Sequence, residues 1–215
     1  MKIWDLATRL YHWAQALLFM ALMASGLSGI GPHTQLGLML FTLLLWRLIW
    51  GVIGSETSLF RQFLRGPKDV ISYLRGKSTA TVGHNPAGGW MVAALLTTLL
   101  LQCMSGMALS GLFDTWPYSD IWLNDNVFAK VEWLHLTLAD LLPLLVTLHI
   151  GAIFFYKLKG KPLVKAMITG KQAQMNKHTL LTEQKIVYLA PQSHAFWVLV
   201  AATLVTIVIV ALSQE

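Results

Sequence analysis

The 215-residue chain has one cysteine, and only 12% of its residues are charged, about half the share usual in soluble domains. A lone Cys103 excludes an intrachain disulfide, a cysteine-ligated iron–sulfur cluster and a cofactor tethered through a Cys-x-x-Cys-His run. The shortage of charge excludes a disordered chain and, despite a formal net charge of +6, one that coats nucleic acid. What is present is apolar: 55% hydrophobic residues and a mean hydropathy of +0.58. Nine Trp, nine Met and seven His in such a chain suggest a membrane protein that holds something polar inside.

Five continuous apolar runs, residues 10–30, 33–53, 88–112, 134–156 and 195–212, reach the length of about 17–20 residues that a helix needs to cross a bilayer. A transmembrane β-barrel would show short alternating segments instead. The expected fold is an all-α integral membrane protein. Residues 1–175 are read as a four-helix transmembrane bundle, 176–193 as a linker and 194–215 as an additional C-terminal transmembrane helix.

Lys and Arg set the orientation. Lys2 and Arg9 precede the first run; Arg61, Arg65, Lys68, Arg75 and Lys77 lie between the second and third; seven lysines from Lys157 to Lys185 lie between the fourth and fifth. The other side has Lys130 alone, beside Asp114, Asp120, Asp125 and Glu132. The positive-inside rule then gives a cytoplasmic N-terminus and, with five spans, an external C-terminus. The basic balance is assigned to anionic lipid headgroups, not to nucleic acid. The first run exceeds a signal peptide's apolar core and follows Asp5, so it reads as a retained helix. Residues 55–87 alternate aromatic and basic residues, as short interfacial helices do, and Gly83-His84-Asn85-Pro86 reads as a turn. Residues 112–134 read as an external loop whose Trp116, Trp122 and Trp133 fit an aromatic belt.

Ionisable residues inside a membrane usually mark function, and four histidines stand in or at the ends of the runs: His12, His33, His135 and His149. His135 and His149 are fourteen residues apart, roughly 21 Å of helical rise with a phase difference of about 40°, so both project from one face. His12 lies level with His149 at the cytoplasmic side, and His33, just after Pro32, level with His135 at the external side. Two His–His pairs stacked across a bundle suit two b-type haems, each six-coordinate and fit for electron transfer. Gly26, Gly37 and Gly106 would give the macrocycles room, or simply pack helices closely. Arg47, fourteen residues after His33, either pairs with a haem propionate or quinone carbonyl or snorkels to lipid phosphates. His84 either protonates a quinone at the cytoplasmic surface, where an ordinary pKa of about 6.5 suits proton transfer, or is a turn residue by the headgroups. Asp140 lies about 140° around its helix from His135 and is expected to face a neighbouring helix. His178 and His194 carry no assigned role.

The chain resembles the bacterial di-haem cytochrome b family of b561 type, which includes the cytochrome b subunits of nickel–iron hydrogenases. The resemblance rests on Trp4-Asp5-Leu6-Ala7-Thr8-Arg9-Leu10-Tyr11-His12-Trp13, Arg47-Leu48-Ile49-Trp50-Gly51, Gly83-His84-Asn85-Pro86-Ala87-Gly88-Gly89, the pair His135 and His149, and Met167-Ile168-Thr169-Gly170-Lys171. It covers about residues 1–175. It implies that His12 and His149 ligate the cytoplasmic haem and His33 and His135 the external one, with ubiquinone or menaquinone exchanging near the former. It also implies a periplasmic redox partner, a cytochrome c or a hydrogenase-like subunit. The fifth run lies outside the shared core, and the sequence leaves its role open between docking a partner and anchoring.

Two other functions were weighed. A superoxide oxidase that reduces quinone would need a positive external funnel, and the four acids outside oppose it. A haem-free transporter or scaffold would show helices broken at mid-membrane, and Pro143 is the one proline well inside a run.

Overall fold

The computed structural model describes residues 1–77, 83–172 and 187–214. Their regular elements are helical: α1 (Leu6–Ser28), α2 (His33–Ile53), a 3₁₀ turn at Glu56–Ser58, α3 (Phe60–Phe63), α4 (Pro67–Leu74), α5 (Pro86–Leu109), α6 (Ser119–Trp122), α7 (Asp125–Leu158), α8 (Leu163–Thr169) and α9 (Gln192–Leu212). Five of them, α1, α2, α5, α7 and α9, are long and apolar enough to cross a membrane. The expected linker over 176–193 lies largely outside the described residues, as does His178.

Capping moves the helix boundaries away from the hydropathy boundaries. Asp5 accepts the Thr8 amide at 2.6 Å, so α1 begins four residues before its apolar run. Asn85 accepts the Gly88 amide at 2.7 Å, with Pro86 at the first helical position of α5. Asn124 accepts the Val127 amide, and Asp125 adds a negative charge to the first turn of α7. The second half of the expected external loop is therefore helix, and α7 extends to 34 residues, unbroken at Pro143. Trp116 also departs from the expected belt. It turns inward onto Phe113, 5.0 Å between ring centres, against the main core.

That core joins α2, α5 and α7 through Leu40, Phe41, Leu44, Leu99, Cys103, Met107 and Leu142. A second one seats α9 on α2 and α1, where Ala195, Val198 and Ala202 meet Tyr11, Trp46 and Trp50. Small residues let the backbones approach, as between membrane helices generally. Two polar links add register: Trp46 donates its indole N–H to the Ala195 carbonyl at 2.9 Å, and the Thr42 and Thr206 hydroxyls lie 2.8 Å apart. The fifth helix thus packs against its own chain.

The conspicuous Trp-Asp-Leu-Ala-Thr-Arg stretch closes the basic end of the bundle. Ile3 and Trp4 donate their amides to the Gly170 carbonyl, Arg9 donates to the Ile168 carbonyl, and the backbone at Lys2 pairs antiparallel with that at Lys171. Buried Asp5 also accepts from the Thr8 hydroxyl, which in turn lies 2.8 Å from the Ser58 hydroxyl. Chain start, the α2–α3 turn and the end of α8 are tied into one cap.

Candidate functional site

The four histidines meet in two pairs at opposite ends of the bundle. His12 of α1 and His149 of α7 lie 6.4 Å apart between ring centres, and His33 of α2 and His135 of α7 lie 6.5 Å apart. The fourteen-residue spacing on α7 turns both of its imidazoles to the same side, as the sequence predicts.

At the acidic end a serine backs each ring. Ser25 Oγ lies 2.8 Å from His33 Nδ1 and 3.1 Å from the Leu22 carbonyl of its own helix. Ser105 Oγ lies 3.0 Å from His135 Nδ1 and 2.8 Å from the Leu101 carbonyl. A hydroxyl has one proton. With it given to the helix carbonyl, the oxygen accepts from Nδ1–H, and the lone pair of each ring is left on Nε2. For His135 that lone pair accepts an N–H from Gln102 at 3.2 Å.

The glycine after each serine completes the arrangement. A Cβ on Gly26 would stand 3.3 Å from His33 Cε1, and one on Gly106 would stand 3.0 Å from His135 Cε1. These two glycines give room to the imidazoles themselves. Gly37 differs, with nothing within 4 Å of such an atom. Ser25, Ser105 and Gln102 were missed in the sequence. The repeated Ser-Gly pair, once on α1 and once on α5, was the available signal.

The basic end gathers His12, His149, Arg47 and His84. Arg47 does not snorkel: it is only 4% exposed, its guanidinium carbon lies 5.0 Å from the centre of the Phe60 ring, and Nη1 is buried without a hydrogen-bond partner. His12 Nδ1 is likewise buried and unpaired. His84, in the turn before α5, is packed 4.7 Å from Phe63 and 4.9 Å from Trp4 between ring centres. Burial, and then the Arg47 charge, push its pKa down to about 3. That direction disfavours the imidazolium form that proton donation to a quinone would use. Asp140, expected to face a neighbouring helix, has an exposed side chain, and among the described residues no hydrogen bond or ion pair engages it. His194 is an exposed residue in the first turn of α9.

The model of the family described as prokaryotic cytochrome b561 matches residues 3–170, well over half of the chain. The chain belongs to that family. It is a membrane b-type cytochrome of electron transfer and, as a family member, a haem b protein. Comparison with curated proteins and with solved structures finds no match. The matched span ends before α9, so the fifth helix lies outside the matched residues.

The residues present fit that cofactor. Metal–imidazole bonds of about 2 Å put the two ligating nitrogens about 4 Å apart, and the inner half of each five-membered ring brings the ring centres to about 6 Å. The observed 6.4 and 6.5 Å lie close to this value. Among the described residues no three His, Cys, Asp or Glu side chains converge as a metal site. Each pair thus suits a metal that brings its other ligands with it, as the iron of a porphyrin does.

Proposed function

We propose that this cytochrome carries electrons across the inner membrane through two haems b, one between His12 and His149 and one between His33 and His135. The observation that carries the reading is the pair of imidazole couples at two depths, each at the spacing of two ligands on one metal. A six-coordinate haem supplies a one-electron couple with no open position. The chain's own residues do the rest. Ser25 and Ser105 hold their rings in the Nδ1–H tautomer, Gly26 and Gly106 let those rings sit close to α1 and α5, and Arg47 offers its unused donor to an anionic group such as a propionate. In this reading residues 1–175 form the cofactor-holding bundle and α9 buttresses α2.

The proposed orientation puts the basic end in the cytoplasm and the C-terminus in the periplasm, by the distribution of Lys and Arg. Quinone, ubiquinone or menaquinone, exchanges at the basic end. An apolar cavity of about 290 Å³ between α1, α2 and α9, lined by Leu10, Tyr11, Trp46 and Phe196 among others, supports a site for its ring there. At the other end Asp114, Asp120, Asp125 and Glu132 are all exposed. A field of that sign favours a basic periplasmic redox protein, such as a cytochrome c or a hydrogenase-like subunit.

Haem content per folded chain tests the reading, by pyridine haemochrome and a reduced-minus-oxidised spectrum of detergent-purified protein. Two haems are expected in the unaltered chain. One is expected in each of His149→Ala and His135→Ala, with different residual spectra and with quinone-linked turnover lost in the former. A folded chain with one haem or none, or a His135→Ala variant that keeps both, refutes it.

A further inference from the structure

Asp140 stands near the middle of α7 with its side chain exposed. The helix runs from Asp125 to Leu158, and its two histidines lie at 135 and 149. Both frames put their midpoint within two residues of Asp140, about 3 Å along the axis. Leu138 and Leu142 are buried, and His135, Ala139, Val146 and His149 are half-buried, so the inward side of α7 is the histidine side. Asp140 is on the opposite side. Among the described residues no hydrogen bond or ion pair involves its carboxyl.

It is part of a continuous seam. Thr137, Asp140, Leu144, Thr147 and Gly151 are all exposed, and they follow one another in alternating steps of three and four residues. That alternation is the spacing by which one helix packs its side chains into the surface of another. A Cβ on Gly151 would meet nothing within 4 Å, so the surface is open there. An ionisable residue in a membrane helix almost always faces the bundle interior or a water-filled cavity. This one faces away from the bundle, where lipid tails offer no donor.

We propose that this face of α7 docks a membrane-spanning helix of another polypeptide, which carries a cation or hydrogen-bond donor at the midplane opposite Asp140. A second copy of this chain fits worse. Copies with the same topology are related by an axis along the membrane normal, which sets Asp140 against Asp140 at equal depth. The seam's hydroxyls cannot serve either carboxyl, because Thr137 donates to the Trp133 carbonyl at 2.8 Å and Thr147 to the Pro143 carbonyl at 2.7 Å. The inference rests on the outer face of α7 and is independent of what the histidines hold.

The test uses the full-length protein in phosphatidylcholine vesicles with two synthetic Leu/Ala helices of about 21 residues, one with a central Lys and one with Leu there. Energy transfer between labelled protein and labelled helix reads the association. The Lys helix should bind about three- to thirtyfold more tightly, the range of a polar contact between membrane helices. Asp140→Leu should equalise the two probes and leave the haem-region spectrum unchanged. Gly151→Leu, which blocks the seam and keeps the carboxyl, should weaken Lys-helix binding as well, so the test survives poor folding of one variant. Equal binding of both probes to the unaltered chain, or a preference that persists in Asp140→Leu, overturns the proposal. So does oxidative 144–144 cross-linking of a Leu144→Cys variant, which would put a second copy on the seam; absence of that cross-link agrees with it.

Discussion

Ser105 Oγ lies 3.0 Å from His135 Nδ1 and 2.8 Å from α5's own Leu101 carbonyl, so with its proton on that carbonyl the serine acts on the imidazole as an acceptor. The Ser25–His33 contact repeats the relation from another helix. Partners of this kind fix a ligating ring's tautomer and raise its basicity, and their removal typically costs about 10–100-fold in affinity for the metal. Ser105→Ala and Ser25→Ala should therefore each lower occupancy of the same haem when haem supply is limiting, and leave the other haem filled. Haem per chain, measured against added haem, reads this. An unchanged occupancy curve for both variants would show that the serines only fill space.

The three glycines near the acidic-end pair should not respond alike. Alanine at 106 would bring a Cβ to 3.0 Å from the His135 ring, so the ring or helix α5 must shift, and overpacking of that kind costs about 1–3 kcal/mol. Alanine at 26 meets His33 at 3.3 Å and should cost less. Alanine at 37 meets nothing, and the helix-propensity gain of up to about 1 kcal/mol should leave that variant at least as stable as the parent. Thermal unfolding followed by loss of haem absorbance should rank them Gly106→Ala, Gly26→Ala, Gly37→Ala from least to most stable. The reverse order would mean that close approach to the imidazoles is not what these positions require.

Under the two-haem proposal, Arg47 should tune one redox centre and not the other. Its guanidinium is buried at the end of the bundle that holds His12 and His149, and a positive charge there favours the reduced form. Arg47→Gln should lower the potential of one component in a two-component redox titration by an amount on the order of 50 mV, as expected for a unit charge acting through a partly screened interior. Arg47→Lys should retain most of the charge effect and lose the contact with Phe60. An equal shift of both components would contradict the placement of Arg47 at one haem.

The sequence shows the five spans and the histidine pairs because both depend on regular spacing along a helix. Hydropathy reveals the first, and fourteen residues between His135 and His149 reveal the second. What it hides depends on side-chain direction. Arg47 could have pointed to lipid phosphates, but it turns inward over Phe60. Asp140 could have turned to a neighbour, but α7 presents it outward. Ser25 and Ser105 look like ordinary small residues of membrane helices until the rings that they back are in place. The long α7 was missed because Asp125, Asn126, Lys130 and Glu132 interrupt the apolar pattern of the nine residues before Leu134. Their helix is set by the Asn124 cap and not by hydropathy.

The fifth helix lies outside the residues that the family matches, and its seat on α2 supplies the last expectation. The Thr42 and Thr206 hydroxyls lie 2.8 Å apart, and each can also bond a carbonyl of its own helix: Thr42 to Leu38 at 2.9 Å, Thr206 to Ala202 at 3.2 Å. Of the two, Thr206 has the longer intrahelical contact, which makes it the better donor across the interface. Valine at either position keeps the shape and removes the hydroxyl. Thr42→Val and Thr206→Val should therefore each destabilise the protein slightly, and the pair should be non-additive by about 0.6 kcal/mol, the average coupling of a polar pair between membrane helices. Trp46→Phe, which removes the indole N–H bonded to the Ala195 carbonyl, should add to either one independently, because it grips α9 about three turns away. Denaturation in mixed micelles, followed by tryptophan fluorescence, measures all of these. Strict additivity of the two threonine variants would mean that the hydroxyls do not hold each other, leaving α9 seated by the packing of Ala195, Val198 and Ala202 and by the Trp46 bond.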